Sequence, residues 1–126
     1  MIRLFNYSGE FLTKFEKHEG EVTEIQFWLE DTILSSDNHG FIHLWMIPFC
    51  LSEEHTNSPL QILNPHFICI QTICIKNGLL VSVGDDKYLK THSVVDLDKP
   101  HKNIFEACGE INYCQEEETC CVVNGH

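Results

Sequence analysis

The sequence has few basic residues and no long apolar segment. Only 8 of its 126 residues are Lys or Arg, against 19 Asp and Glu, and the formal net charge at pH 7 is -11. Nucleic-acid-binding proteins usually cluster Lys and Arg against the phosphates, and here these residues are scattered, so no nucleic-acid partner is expected. No apolar run approaches the roughly 20 residues that cross a bilayer, so membrane insertion is not expected either.

The sequence also lacks the apolar segment of a secretory signal, because "MIRLFNYSGE" reaches Ser-Gly at position 8. We therefore expect an intracellular protein, cytoplasmic or nuclear. Seven cysteines are present, but the number is odd and most lie in apolar, strand-like runs. This pattern indicates buried free thiols rather than a disulfide framework. With 43% hydrophobic and 21% charged residues, the composition is typical of one globular domain.

Short apolar runs separated by Gly, Asn, Asp, Ser and Pro fill the chain, and no convincing amphipathic helix is found. "FICIQTICI", residues 67–75, is rich in Ile and alternates with a period of two. Many short alternating runs with turn residues between them predict an all-β sandwich, barrel or propeller. We expect antiparallel four-stranded meanders over about Val22 to Leu63 and about Ile68 to Ala107.

The same pattern occurs twice, 47 to 48 residues apart. "HEGEVTEIQFWLEDTILSSDNHGFIHLW" begins at His18, and "HFICIQTICIKNGLLVSVGDDKYLKTH" begins at His66. One alignment matches seven further pairs. These are Val22 with Ile70, Phe27 with Ile75, Ser35 with Ser82, Gly40 with Lys87, Ile42 with Leu89, Leu44 with Thr91, and Trp45 with His92.

These residues resemble the WD40-repeat family, in which His, Ser and Trp recur at this spacing. The resemblance extends to "IRLFNYSGEFLTKF", with Phe5 in the Trp position, and to "GEINYCQEEETCCVVNG", with Ala107 in the His position. It implies a partial β-propeller of about two full blades and two half-blades. The implied divisions are the end of a preceding repeat (1–17), a repeat (18–65), a degenerate repeat (66–106) and the start of a further repeat (107–126).

The family resemblance also implies a structural hydrogen-bond network in each repeat, running from Trp to Ser to His to a turn Asp. The network residues carried over are His18, Ser35, Trp45, His66, Ser82 and Asp86. In the first repeat His39 falls in the Asp position, with Asp37 and Asn38 close by, and in the second repeat His92 replaces Trp. On this alignment no repeat keeps the full set.

Other chemistries have weaker support. The Ser, His and Asp sets could be mistaken for hydrolase triads, but the repeat alignment places both serines within a sheet, so no catalytic residue is expected. His39 and His43, Cys69 and Cys74, and Cys120-Cys121 do not match zinc-site spacing, so neither a metal nor another cofactor is expected. A small cysteine-rich, metal- or redox-responsive protein remains the alternative function.

Two segments suggest contacts with other proteins. The connection between Trp45 and His66 carries about eight residues more than its counterparts, and Phe49, Leu51, Glu53 and Glu54 lie in it. It is interpreted as a partner loop or as a tolerated surface insertion. The segment 106–118 holds five Glu and no Lys or Arg, which suits a basic partner or a solvated edge.

The expected function is a non-enzymatic scaffold or adaptor for protein–protein interactions. Two half-blades and two blades amount to about three blades, whereas propellers close with four to eight. We therefore expect a fragment of a larger propeller, with self-association through its open blade edges. A further alternative is the substrate-recognition part of a ubiquitin ligase or of another multiprotein complex.

Overall fold

The computed structural model describes residues 1–47, 57–95 and 104–112, and every regular element in these ranges is a β-strand. Because the described ranges contain no helix, they contain none long and apolar enough to cross a membrane. The ten strands are β1 (Ile2–Phe5), β2 (Phe11–Phe15), β3 (Val22–Phe27), β4 (Thr32–Asp37), β5 (Ile42–Met46), β6 (Gln61–Leu63), β7 (Ile70–Lys76), β8 (Leu79–Gly84), β9 (Tyr88–Val94) and β10 (Phe105–Asn112).

The strands form three antiparallel sheets, each a meander of sequential neighbours. We call them the N-terminal pair (β1–β2), the first meander (β3–β4–β5–β6) and the second meander (β7–β8–β9–β10). Short turns join most neighbouring strands, as expected for antiparallel pairing. The prediction of an all-β chain with antiparallel four-stranded meanders is confirmed.

Strand pairing in the two meanders follows the repeat alignment. Ile25 lies opposite Ser35 in the first meander, and Ile73 lies opposite Ser82 in the second. Both inner strand pairs have an irregularity at the aligned position, just after Val22 in β3 and just after Ile70 in β7. Because bulges and cross-strand partners recur together, the repeat is a property of the backbone as well as of the sequence.

Two apolar cores lie between the sheets. One joins the N-terminal pair to the first meander and contains Ile2, Phe15, Ile33 and Trp45. The other joins the two meanders and contains Leu34, Ile42, Leu44, Leu63, Ile70, Ile73, Leu80 and Phe105. Strand β4 of the first meander therefore lies between the two cores, which explains why every one of its residues is buried.

Polar side chains also join the two meanders. The Gln61 side chain on β6 accepts hydrogen bonds from the backbone amides of Ile104 and Phe105 and donates one to the Phe105 carbonyl. Glu24 on β3 accepts hydrogen bonds from the Thr72 hydroxyl and the Ile73 amide, at 2.9 and 2.5 Å. These side-chain hydrogen bonds connect the two meanders in addition to the apolar core.

The last strand extends further than the sequence pattern indicated. We expected the second meander to end near Ala107 and a further repeat to begin there, but β10 pairs with β9 as far as Asn112. An irregularity between Ala107 and Gly109 lets the strand continue past the small residues. Residues 107–112, expected to open a further repeat, therefore belong to the outer strand of the second meander.

Candidate functional site

The first meander holds a continuous chain of four hydrogen-bonded side chains. The Trp45 indole Nε1 donates to the Ser35 hydroxyl at 2.8 Å, and that hydroxyl lies 2.5 Å from His18 Nε2. His18 Nδ1 lies 2.7 Å from an oxygen of Asp37. Ser35 and Trp45 are fully buried, and Asp37 is almost so. Strands β4 and β5 supply three of these residues, and the segment before β3 supplies the histidine.

Hydrogen-bond polarity assigns the protons along this chain. Because the Asp37 carboxylate can only accept, the neutral His18 ring carries its proton on Nδ1 and donates it to Asp37. Nε2 of this ring is then an acceptor, so Ser35 donates to it and accepts from the Trp45 indole. Burial lowers the pKa of His18, which favours this neutral form.

The Asp37 carboxylate is the fixed end of the chain. Burial alone would raise the pKa of Asp37, but hydrogen bonds from His18 and from the backbone amides of Phe41 and His39 outweigh it. The pKa of Asp37 therefore lies below its usual value. Because both amides belong to the turn between β4 and β5, the carboxylate holds that turn as well as the histidine.

The second meander holds a shorter chain with the same geometry. His66 Nδ1 lies 2.9 Å from an oxygen of Asp86, and His66 Nε2 lies 2.9 Å from the Ser82 hydroxyl. Asp86 also accepts hydrogen bonds from the backbone amides of Phe67 and Tyr88. Burial raises the pKa of Asp86, but the hydrogen bonds from His66 and from these two amides outweigh burial, so its pKa is lowered. The three residues predicted for this repeat are therefore brought together.

The hydrogen-bonded network of the second meander lacks the tryptophan that ends the network of the first. His92 occupies the position equivalent to Trp45, and its Nδ1 is buried without a hydrogen-bond partner. Burial lowers the pKa of His92. A cavity of about 360 Å³ adjoins it, lined also by Lys90, Cys108 and Glu110. At this position the second meander therefore has an unsatisfied imidazole nitrogen next to a cavity.

One assignment from the sequence was wrong. The repeat alignment placed His39 in the acidic position of the first repeat, but Asp37 binds His18, while the amide of His39 binds Asp37. Gly40 has φ +93 and lies in the turn whose His39 and Phe41 amides donate to the Asp37 carboxylate. The first repeat therefore has all four network residues, Trp, Ser, His and Asp, although the alignment predicted that the Asp was missing.

The geometry of neither network suits serine-based catalysis. Ser35 and Ser82 have no exposed surface, and both ring nitrogens of His18 and of His66 already have partners. A serine nucleophile needs an exposed hydroxyl and a space for the reacting carbonyl beside it. Both chains instead have the form of closed structural networks.

His43, which was not predicted to have a structural role, is buried beside the hydrogen-bonded network of the first meander. The His43 ring stacks on His18, with centroids 3.8 Å apart and planes 16° from parallel. Its Nδ1 has no hydrogen-bond partner, and burial lowers the pKa of His43 to about 4. Its position opposite Ser35 across the β4–β5 pair follows from strand pairing, which the repeat alignment alone does not give.

His18, Asp37 and His43 form the cluster within the described ranges whose ligand atoms are close enough to hold a metal ion. Their geometry does not suit one. Imidazole binds metals along a lone pair in its ring plane, and in two nearly parallel stacked rings these lone pairs do not converge on one point. His18 also uses both nitrogens within the chain. His39 does not join this cluster.

The cysteines within the described part of the chain form no site of this kind. Cys69, Cys74 and Cys108 are all free thiols, but Cys69 is only half-buried and Cys74 and Cys108 are exposed, so the expectation of buried thiols is wrong for these residues. The Cys108 thiol lies 3.2 Å from the Thr91 hydroxyl. Cys120-Cys121 lies outside the described residues.

The residues of the predicted partner loop, Phe49, Leu51, Glu53 and Glu54, lie outside the described residues. Both ends of the loop are nevertheless defined. The Ile47 amide donates to the Asp31 carbonyl at 2.7 Å, and the buried Asn57 side chain donates to the Thr13 hydroxyl and the Lys14 carbonyl. The loop therefore leaves and rejoins the fold at the junction between the first meander and the N-terminal pair.

Comparison with solved structures identifies the fold. The chain is similar to the computationally designed Ika8 protein (23% identity, TM-score 0.55, 68% of this chain and 24% of that one) and to the designed Ika4 protein (22%, 0.54, 68% and 48%). It is also similar to the β-propeller domain of Cps50 (Swd1) from Myceliophteria thermophila (13%, 0.57, 71% and 28%). No protein-family model and no curated protein sequence matches the chain.

These similarities show a propeller-like fold, with each four-stranded meander as a blade. The chain covers between 24% and 48% of the length of the three structures, so it corresponds to part of such a fold. The N-terminal pair then corresponds to the outer half of one further blade.

Proposed function

We propose that this chain is a non-enzymatic scaffold of the WD40 type, acting in the cytoplasm or nucleus as part of a larger propeller and binding other proteins. The complete chain from Asp37 through His18 and Ser35 to Trp45 carries this proposal. All four groups are used to hold strands and a turn together. This arrangement supports a structural role for the Ser, His and Asp side chains, which a hydrolase would need for catalysis.

The loop between β5 and β6 is the proposed partner contact. The residues that flank it, Ile47 and Asn57, are hydrogen-bonded at the junction of two sheets. Phe49 and Leu51 supply apolar contact, and Glu53 and Glu54 suit a basic surface. A scaffold needs such a presented segment, and no catalytic group is required.

The test is a comparison of captured partners in cells. The chain is expressed with a proximity label, and the recovered proteins are compared with those of the variant F49A/L51A. We expect the reproducible partners to be lost in this variant and kept in Leu79→Ala, which removes an exposed leucine from the second meander. Equal recovery from all three proteins would overturn the loop as the binding site.

Metal analysis separates the proposal from its alternative. Mass spectrometry of the intact purified chain gives its bound metal content directly. We expect none at stoichiometric level, because the His18 and His43 rings do not converge. Stoichiometric zinc that disappears in His43→Phe would instead support a metal-responsive protein.

A further inference from the structure

The cavity of about 360 Å³ beside His92 lies between the two meanders. Its lining comes from residues 63–65, at the end of the first meander, and from residues 90–92 of β9 and 107–110 of β10. All of these segments belong to the described part of the chain, so the cavity needs no further blade to form its walls. Its volume falls in the range of small-molecule sites, roughly 300–1,000 Å³.

Three polar side chains in the lining remain available to a ligand. His92 is only 6% exposed, and its Nδ1 has no hydrogen-bond partner in the described structure. Lys90 and Glu110 lie opposite each other in the β9–β10 pair, yet neither forms a salt bridge within the described ranges. The Lys90 ammonium instead lies 5.5 Å from the centroid of the Tyr88 ring. A buried unpaired nitrogen and two unpaired charges of opposite sign suit a ligand that carries both charges.

The lining also contains the exposed thiol of Cys108. The irregularity between Ala107 and Gly109 leaves Cys108 out of the strand pairing. Its thiol lies 3.2 Å from the Thr91 hydroxyl, which also donates to the Gly109 carbonyl at 3.3 Å. An accessible nucleophile and a set of unpaired polar groups therefore share one cavity.

We propose that Cys108 is a site of mixed-disulfide formation with a small disulfide derived from amino acids, such as glutathione disulfide. The Lys90 ammonium donates to a carboxylate of this ligand, and the Glu110 carboxylate accepts from its ammonium group. His92 Nδ1 forms a hydrogen bond with a peptide group of the ligand. This modification site goes beyond the proposed scaffold function and does not rest on it.

The reaction is an exchange of one disulfide for another. The thiolate of Cys108 attacks one sulfur of the ligand, so that a bond forms between Cys108 Sγ and that sulfur while the ligand's own S–S bond breaks. The other half of the ligand leaves as a thiolate and takes up the proton that Cys108 released. The ligand disulfide is itself the oxidant, and an excess of the free thiol reverses the reaction by the same exchange.

The test compares the recognition of the ligand with the plain reactivity of a thiol. The full chain is incubated with glutathione disulfide or with hydroxyethyl disulfide, which has no charged group, and the modification of each cysteine is followed by peptide mass spectrometry. Cys74, which is exposed on β7 and is not in the cavity lining, is the internal reference. We expect the ratio of the Cys108 rate to the Cys74 rate to be at least about fivefold higher with glutathione disulfide.

Two variants and one condition locate the cause of this preference. Lys90→Gln should lower the ratio for glutathione disulfide towards the ratio for hydroxyethyl disulfide, because the ligand's carboxylate loses its cation. Lys14→Gln, which removes the same charge from β2, should leave the ratio unchanged. In urea, where the cavity is lost, the ratio should be the same for both reagents.

Three results would each overturn the proposal. Equal ratios for the two disulfides in the folded chain would show that the cavity does not recognise the ligand. A preference that persists in urea would come from the local sequence around Cys108 rather than from the cavity. A preference that Lys90→Gln leaves unchanged would show that the charged lining does not hold the ligand.

Discussion

Ser35 is the residue on which most of the first network depends. Its hydroxyl is hydrogen-bonded to both Trp45 and His18, and both of these side chains are buried. Ser82 connects only to His66. Because an unpaired buried polar group costs free energy, the two serines should differ in their contribution to stability.

We predict that Ser35→Ala lowers the free energy of unfolding by about 2–4 kcal/mol and Ser82→Ala by about 1–3 kcal/mol. The first substitution leaves an indole N–H and an imidazole nitrogen unpaired, and the second leaves one nitrogen unpaired. Urea denaturation followed by tryptophan fluorescence gives both values. The half-buried Ser93, which lies outside both networks, supplies the control Ser93→Ala, and equal effects of all three substitutions would contradict the prediction.

Lys87 adopts a backbone conformation that suits glycine. Its φ is +71, and its aligned position in the first meander is Gly40, with φ +93. A non-glycine residue in this region is strained by roughly 1–2 kcal/mol. The sequence alignment paired Gly40 with Lys87, but only the structure shows that the lysine kept the turn that glycine makes.

We therefore predict that Lys87→Gly stabilises the chain by about 0.5–1 kcal/mol, the relief of strain being partly offset by the greater freedom of glycine when unfolded. Asn77→Gly is the matched control, because Asn77 also has positive φ but asparagine tolerates it better. The melting temperatures of the two variants give the comparison. A larger gain from Asn77→Gly would show that φ does not decide the effect.

Two stacked histidines should make the chain sensitive to acid. Burial lowers the pKa of His43 to about 4, and it also lowers the pKa of His18. The unfolded chain therefore binds protons near pH 6.5 that the folded chain does not bind until lower pH. The contribution of the two histidines to stability should be constant above about pH 7 and should fall as the pH drops from 6.5 towards 4.

We predict that His43 accounts for roughly 2–3 kcal/mol of this loss, and that His43→Phe removes that part. Phenylalanine keeps a planar ring against His18 but does not titrate. Urea denaturation at a series of pH values between 4 and 8 measures the slope in both proteins. A slope that is the same in the variant would assign the acid sensitivity to other groups.

At the scale of strands, one difference between the two meanders is the residue in the tryptophan position. Trp45 fills its site and donates to Ser35, whereas His92 leaves a nitrogen unpartnered beside a cavity of about 360 Å³. β5 is thereby tied to β4 through a side-chain hydrogen bond, and β9 lacks an equivalent tie to β8 among the described contacts. The second blade should be the less stable of the two.

We predict that His92→Trp stabilises the chain by about 1 kcal/mol or more, because the indole can donate to Ser82 and occupy part of the cavity. His92→Phe is the control, since it adds apolar volume without an N–H. Thermal unfolding of the two variants separates the hydrogen bond from the packing. Greater stabilisation by phenylalanine than by tryptophan would show that Ser82 gains no partner.

Much of this element-scale description follows from the sequence, and the exceptions have physical causes. The family resemblance predicted which residues of each network meet, because it carries the network over at several aligned positions together. It missed the pairing of Asp37 with His18, because the alignment put His39 in the acidic position, whereas the carboxylate that reaches His18 belongs to the last residue of β4. It also ended the second meander too early, because an irregular strand can continue past Ala107 and Gly109 without an alternating pattern.

For the whole molecule, open surfaces and net charge have opposite effects on association. Phe27 is 66% exposed on one side of the described structure, and Ile111 is 52% exposed on the outer strand of the second meander, where Leu63 in the first is 8% exposed. Phe27 and Ile111 each lie on a sheet face, and the equivalent face of the other meander is buried between two sheets. The net charge of -11 repels other copies of the chain.

We predict that the apolar faces prevail and that the purified chain self-associates, eluting above its 14.6 kDa mass in size-exclusion chromatography with light scattering. Because salt screens the repulsion between copies and does not weaken apolar contact, association should increase between low and high ionic strength. Ile111→Lys and Phe27→Ser should each shift the distribution towards the monomer, whereas Phe67→Ser, which alters an exposed residue away from both faces, should not. A monomer at every salt concentration, with a cooperative thermal transition, would show that the described sheets are stable without a neighbour on either face.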